Sequence, residues 1–388
     1  MSESIDIREA GGISSPLRLW LRSEAFRFPL ALFLWTRTAL LASSYVGMTL
    51  VPTLYLHPEA RQAALVSHPA FDGLCRWDCG WYERVANEGY LLPATANVFP
   101  LFPLLGHIVE FTTGINRVYA LIAIANLASF LSYLVIYRIF RRTDGSAAAR
   151  WGLLLFAAYP LAYYQAAAYP ESLMILGSSL ALALALANRH LLSGSVLGLG
   201  ILARQLSVFG GAGMLVAQIR QRPSAKQFFF NRNIFGLVIP FLYVAAFAFH
   251  LKMVRGDALA FIHARQDATW GPSVWYSVRE IWKLESYERH PEYFMYSIIA
   301  LIPLLGTILL LTRKKWAELA ADAVVLMVII VSIGGVGLGR YSASCWPAFL
   351  PLGVWISRRP NLQGPVLGAL FLFQGIFFFL YSHQFRIL

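Results

Sequence analysis

Apolar residues run along the chain in blocks of about 15–25, the length that carries a helix across a bilayer core. Short stretches of arginine, lysine and turn residues separate the blocks. The pattern predicts eleven membrane segments, near 29–51, 117–140, 151–168, 170–188, 194–204, 206–219, 233–252, 293–312, 318–337, 344–357 and 363–381. Two pairs are short and split at polar points, Tyr169-Pro170-Glu171-Ser172 and Arg204-Gln205. These predict tight helical hairpins or broken helices. A membrane tolerates such breaks only where the backbone is buried in protein or lines a water-filled cavity. The expected fold class is an all-α polytopic membrane protein, one integral membrane domain over 1–388. It would carry a polar arm at 1–28 and two long loops at 52–116 and 253–292.

Composition agrees. Apolar residues make up 58% of the 388 and charged residues 13%, about half the charged share of a soluble domain. Mean hydropathy is +0.58. This leaves no room for a sizeable soluble domain and is too apolar for a disordered chain. The net charge of +12 does not point to nucleic acid, because the basic residues sit in short connections and not on one aromatic, basic face. With the N-terminus in the cytoplasm, 18 of the 32 basic residues but only seven of the 20 acids fall on the cytoplasmic side. Every cytoplasmic connection is then basic, as the positive-inside rule requires. Both long loops and the C-terminus face outside. The arm shows no small-residue cleavage site, so the first apolar run is expected to stay as an anchor.

The first outer loop holds the most informative stretch, 71–90. Trp77, Trp81 and Val85 recur at helical spacing, with Glu83, Arg84, Asn87 and Glu88 elsewhere on the wheel. This predicts an amphipathic helix lying in the membrane interface, ended by Gly89. Asp78 falls in its first turn, where the helix dipole favours a carboxylate. The same aspartate reads equally as a plain N-terminal cap. Cys75 and Cys79 stand four apart, and on a helix that spacing strains a bridge, so free thiols are expected. Asp72 reads as a loop carboxylate without a role. His68, His107, His263 and His290 lack metal-ligand spacing, and no metal or other cofactor is expected.

Arg76-Trp77-Asp78, Trp81-Tyr82, Ala86, Gly89-Tyr90 and Val98-Phe99-Pro100-Leu101-Phe102-Pro103 resemble, in order and spacing, the hallmark of the PIG-V family of mannosyltransferases. Val98 stands where that family usually has a phenylalanine. Tyr169-Pro170-Glu171-Ser172, Arg204 after a glycine-rich span, Gln266, Trp270-Gly271 and Gly339-Arg340-Tyr341 echo later elements. The resemblance covers about 71–350. It implies a GT-C glycosyltransferase that takes mannose or a similar hexose from a polyprenyl-phosphate carrier and uses a first-loop carboxylate, here Asp78, as base. The partners implied are that lipid-linked donor, a lipid or glycan acceptor and the membrane lipids. The setting would be the bacterial inner membrane with the site facing outside, or the endoplasmic reticulum in a eukaryote.

The residues fit that chemistry. A lipid phosphate leaving group needs cations and no acid. Arg204 and Arg340 interrupt apolar stretches, where a charge is a functional candidate by default, and arginine grips phosphate bidentately. Each also reads as a snorkelling or salt-bridged structural arginine. Arg265 and Arg76 are reserves. Arg76, Trp77, Tyr82, Glu171, Gln266 and Trp270 are candidates for the substrate pocket or its support. A transporter or flippase for a lipid-linked sugar is the rival, because broken helices can line a midplane site. No inverted repeat supports it.

Overall fold

The computed structural model describes residues 16–51, 65–222, 224–266, 291–333 and 335–384, and among them it is helical with no strand. The principal helices are α1 (Glu24–Leu50), α2 (Cys79–Glu88), α3 (Leu101–Thr113), α4 (Arg117–Ala158), α5 (Glu171–Leu186), α6 (His190–Ala203) and α7 (Gly210–Gln221). They continue as α8 (Phe235–Arg255), α9 (Pro291–Leu310), α10 (Ala317–Ile333), α11 (Gly335–Ser342), α12 (Phe349–Ser357) and α13 (Pro360–Ser382). Six helical stretches, built on α1, α4, α8, α9, α10 (with the 3₁₀ turn Lys314–Trp316 before it) and α13, are long and apolar enough to cross a membrane, and α3, α5, α6 and the stretch Trp346–Ser357 that contains α12 are shorter apolar helices. The chain is an all-α polytopic membrane protein.

The expected segments 117–140 and 151–168 form one hairpin within α4. Asp144 (φ −139°) and Gly145 (φ +83°, ψ 176°) leave helical dihedrals. Phe140 and Gly152 then touch, and the rings of Tyr133 and Phe156 lie 6.1 Å apart. A continuous helix would separate the latter pair by about 35 Å, so the chain folds back on itself. Gly145 occupies a region open only to glycine. The second arm ends at Ala158, ten residues before the expected end of its segment. One apolar helix lies where the hydropathy pattern predicts loop. Thirteen-residue α3 lies in the first outer loop, with Phe111 among its exposed residues. It is too short to stand out as a span.

Both expected breaks are present. From Tyr159 to Pro170 the chain leaves α-helix, keeping only a 3₁₀ turn at Ala162–Gln165, and all of it is buried. Neighbouring helices supply the hydrogen bonds that such a segment lacks within itself. Gln374 of α13 donates to the carbonyls of Ala157 and Tyr159, each at 2.9 Å. Asn126 of α4 donates to the Ala166 carbonyl at 2.9 Å. Ser172 donates to the Gln165 carbonyl at 2.8 Å. Arg37 of α1 is buried, donates to Asn126 Oδ1 at 2.7 Å and to Ser129, and reaches the Gln165 carbonyl at 3.5 Å. At the second break Arg204 is extended (φ −156°, ψ 126°) between α6 and a 3₁₀ turn at Gln205–Phe209. A charged side chain borders each break: Glu171 follows the first and Arg204 opens the second.

Candidate active site

Four elements converge on one ionic cluster. α2 opens at Asp78, the first break delivers Glu171, the second delivers Arg204, and α11 carries Arg340 near its C-terminal end. Arg340 donates from Nε to Glu171 Oε1 at 2.6 Å, from Nη1 to Asp78 Oδ2 at 2.5 Å and from Nη2 to the Tyr82 hydroxyl at 3.1 Å. Arg204 Nη1 donates to the same hydroxyl at 2.9 Å and lies 3.3 Å from Glu171 Oε1, while its Nη2 donates to the Tyr341 hydroxyl at 2.5 Å. Two guanidiniums and two carboxylates cancel in charge, which is what lets four ionic groups share a largely dry site. Tyrosine rings enclose the cations. Arg340 sits 4.2 Å from the Tyr169 ring centre and 5.4 Å from that of Tyr164, and Arg204 sits 4.6 Å from that of Tyr341. Such cation–π contacts strengthen on desolvation.

Burial separates the roles. The side chains of Glu171 and Arg340 are 1% and 5% exposed, those of Arg204 and Asp78 13% and 30%. Asp78 stands at the N-cap position of α2, yet its side chain does not cap the helix. The plain-cap reading therefore fails, and the carboxylate points to Arg340 instead. Glu171 Oε2 is buried with no hydrogen-bond partner among the described residues. Burial pushes the Tyr82 phenol up to about 12, against the lowering pull of Arg204 and Arg340. Tyr82 therefore stays neutral and accepts from both arginines.

The strand of chain before α2 departs from expectation. The helix begins at Cys79, and Trp77 lies outside it with φ +54°. Cys75 is therefore not helical. Its Cα lies 5.3 Å from that of Cys79, and the two form a disulfide, which corrects the expectation of free thiols. Asp72 also has a partner, contrary to expectation. It accepts from both terminal nitrogens of Arg76, at 2.7 and 2.6 Å. Arg76 is 2% exposed and donates from Nε to the Ser382 carbonyl at 2.8 Å, so its side chain braces the loop and does not join the cluster. Its carbonyl accepts from the Tyr169 hydroxyl at 2.8 Å, and that hydroxyl accepts from the Asp78 amide at 3.1 Å. α2 ends at Gly89 with φ +67° and ψ −141°, a glycine-only conformation outside the expected left-handed cap.

Of the residues singled out from sequence, Asp78, Tyr82, Glu171, Arg204 and Arg340 come together. Arg265 lies in the 3₁₀ turn Ala264–Gln266, which packs against the turn Pro93–Asn97, and no hydrogen bond joins it to the cluster. Gln266 shares that turn, and Trp270 lies outside the described residues. Sequence reasoning missed Tyr164 and Tyr169 as ring walls. Their signal was the run of tyrosines between 159 and 169, a density of aromatic hydroxyls unusual for a lipid-facing span. Among the described residues no group of histidine, cysteine and acidic side chains is arranged to hold a metal ion.

No protein-family model matches the chain, and no curated protein matches it. Among solved structures the chain is similar to the Archaeoglobus fulgidus oligosaccharyltransferase, crystallised with zinc and sulfate, at 14% identity and a TM-score of 0.46. The match covers 90% of this chain and 53% of that one, so this chain spans about half that protein's length. So distant a likeness assigns neither a fold family nor an activity.

Proposed function

We propose that the protein is a GT-C-like glycosyltransferase that moves mannose, or a similar hexose, from a polyprenyl-phosphate donor to a lipid or glycan hydroxyl on the extracytoplasmic face. One observation carries this reading. Asp78 is the most exposed carboxylate of the cluster, fixed through one oxygen by Arg340 and set beside a second, partly exposed arginine, Arg204. Base and cation thus stand together at the opening of an interfacial helix. The acceptor hydroxyl attacks the anomeric carbon as its proton passes to Asp78. The bond from that carbon to the carrier phosphate breaks, and the phosphate leaves with the electron pair toward Arg204. Attack opposite the leaving group inverts the anomeric centre, and no step calls for a metal. Arg340 is bonded to both carboxylates and is the more buried of the two arginines, so in this reading it holds the base and the more exposed Arg204 meets the phosphate.

The disulfide supports the outward orientation, since such bridges persist in oxidising compartments. The test uses purified protein, polyprenyl-phosphate mannose and a lipid extract, with product mass recorded. A product heavier by one hexose, formed by the native protein and lost in Asp78→Asn, supports the assignment. Equal product from Asp78→Asn removes it. Uptake of radiolabelled substrate into vesicles without any transfer would favour the transporter.

A further inference from the structure

We propose that the Cys75–Cys79 disulfide positions Asp78, and that the site becomes competent only after these two thiols are oxidised. The proposal rests on Asp78 as the base. Cys75 and Cys79 bracket Arg76, Trp77 and Asp78. Within that three-residue bracket Trp77 holds a left-handed conformation, φ +54°, which crowds its Cβ against the following carbonyl. Such a conformation persists only where its surroundings over-determine it. Here four restraints do so. The disulfide closes the bracket. The Tyr169 hydroxyl ties the Asp78 amide to the Arg76 carbonyl. The Ala168 amide donates to the Leu74 carbonyl at 2.9 Å. Arg76 is clamped by Asp72 and the Ser382 carbonyl. Of these, only the disulfide is covalent. The turn it closes places Asp78 as the last residue before α2, with its carboxylate on Arg340 and not on its own helix end.

Pairing in the chain is unambiguous. Cys345, the third cysteine, is buried beyond α11 and lies 3.9 Å from Thr307 Oγ1. Cys75 and Cys79 are themselves buried, 3% and 0% exposed, so oxidation precedes packing of the loop. The co-reactant is a disulfide-bearing thiol oxidant of the outer face. One chain thiolate attacks its disulfide to give a mixed disulfide. The second attacks that bond, closes Cys75–Cys79 and releases the oxidant as a dithiol. Two electrons and two protons pass from chain to oxidant.

Two measurements test this. In native protein denatured without reductant, an alkylating reagent should label Cys345 alone, and Cys75 and Cys79 only after reduction. Free thiols at 75 and 79 in protein with full transfer activity would overturn the proposal, and this mapping needs no variant. In the double variant Cys75→Ser, Cys79→Ser, kcat with polyprenyl-phosphate mannose should fall about 10²-fold, the size of effect expected when a reacting group is misplaced by an ångström or so. Donor KM should move less than about twofold, since ground-state binding is untouched. Amide hydrogen exchange over 74–82 should quicken. A native kcat with native exchange overturns the staple. Asp78→Asn, run alongside, separates the failures: if it stays active the base assignment falls, and if it is dead while the serine pair is fully active only the staple falls.

Discussion

At the scale of single residues, the two arginines are not equivalent. Among the described residues Arg340 is the sole direct ionic partner of Asp78, and it shares Glu171 with Arg204. Arg340→Ala would leave two carboxylates without their nearest cation, and breaking a buried pair costs about 3–5 kcal/mol. We expect Arg340→Ala to lower the unfolding temperature in detergent clearly, and Arg204→Ala to lower it much less, because Glu171 then keeps Arg340. Arg204→Ala should instead act on the donor, raising its KM about tenfold or more through the loss of charge-assisted hydrogen bonds worth about 1.5–3 kcal/mol. Lysine there should restore part of the loss, because a point charge lacks the planar fork. Equal thermal losses in the two alanine variants, with unchanged donor KM, would contradict this division. Much of the division was legible in advance. A charge inside an apolar run is expensive, so Glu171, Arg204 and Arg340 stood out from sequence. What did not show was their mutual arrangement, because four elements up to 262 residues apart supply one cluster. The Asp72–Arg76 salt bridge, four residues apart, was within reach of sequence, but the Ser382 carbonyl that turns the Arg76 side chain away from the cluster was not.

At the scale of elements, the breaks set the site. Hydropathy exposed both of them, because Tyr-Pro-Glu-Ser and Arg-Gln interrupt otherwise apolar runs. The i, i+4, i+8 spacing of Trp77, Trp81 and Val85 imitates one helix, but α2 begins only at Cys79, because Trp77 stands outside it at φ +54°. α3 was missed because length decides spans, and thirteen residues fall short. Two element-level expectations follow. Tyr169→Phe removes the hydroxyl that joins the Asp78 amide to the Arg76 carbonyl; the carbonyl keeps the Cys79 amide at 3.2 Å and the Tyr381 hydroxyl at 3.4 Å, and the Asp78 amide loses its acceptor, at about 1–3 kcal/mol. Transfer should fall through kcat with little change in donor KM, and unchanged kcat would contradict the positioning role. Gly145→Ala tests the α4 hairpin far from the chemistry. A Cβ there meets no atom within 4 Å, so the penalty is backbone strain alone, about 1–3 kcal/mol. Thermal unfolding should show the loss while transfer by the folded protein stays native.

At the scale of the whole molecule, the account needs the first outer loop and the cluster on one side of the membrane and the basic connections on the other. In a variant lacking Cys345 but keeping the disulfide, cysteine introduced at exposed Leu91 should react with an impermeant thiol reagent in intact cells. Cysteine at exposed Phe230, between Lys226 and Arg232, should react only after permeabilisation. The reverse pattern would invert the topology and detach the chemistry from the outer face. The central claim is that a carboxylate at the mouth of a charge-neutral cluster takes the acceptor proton. The direct measurement is single-turnover transfer from polyprenyl-phosphate mannose by Asp78→Asn and Glu171→Gln, each shown to be folded by its unfolding temperature. The account predicts that Asp78→Asn loses about 10²–10⁴ in rate, the usual contribution of a general base, while Glu171→Gln keeps measurable transfer. Near-native transfer in Asp78→Asn together with its abolition in Glu171→Gln would contradict the account and make Glu171 the base.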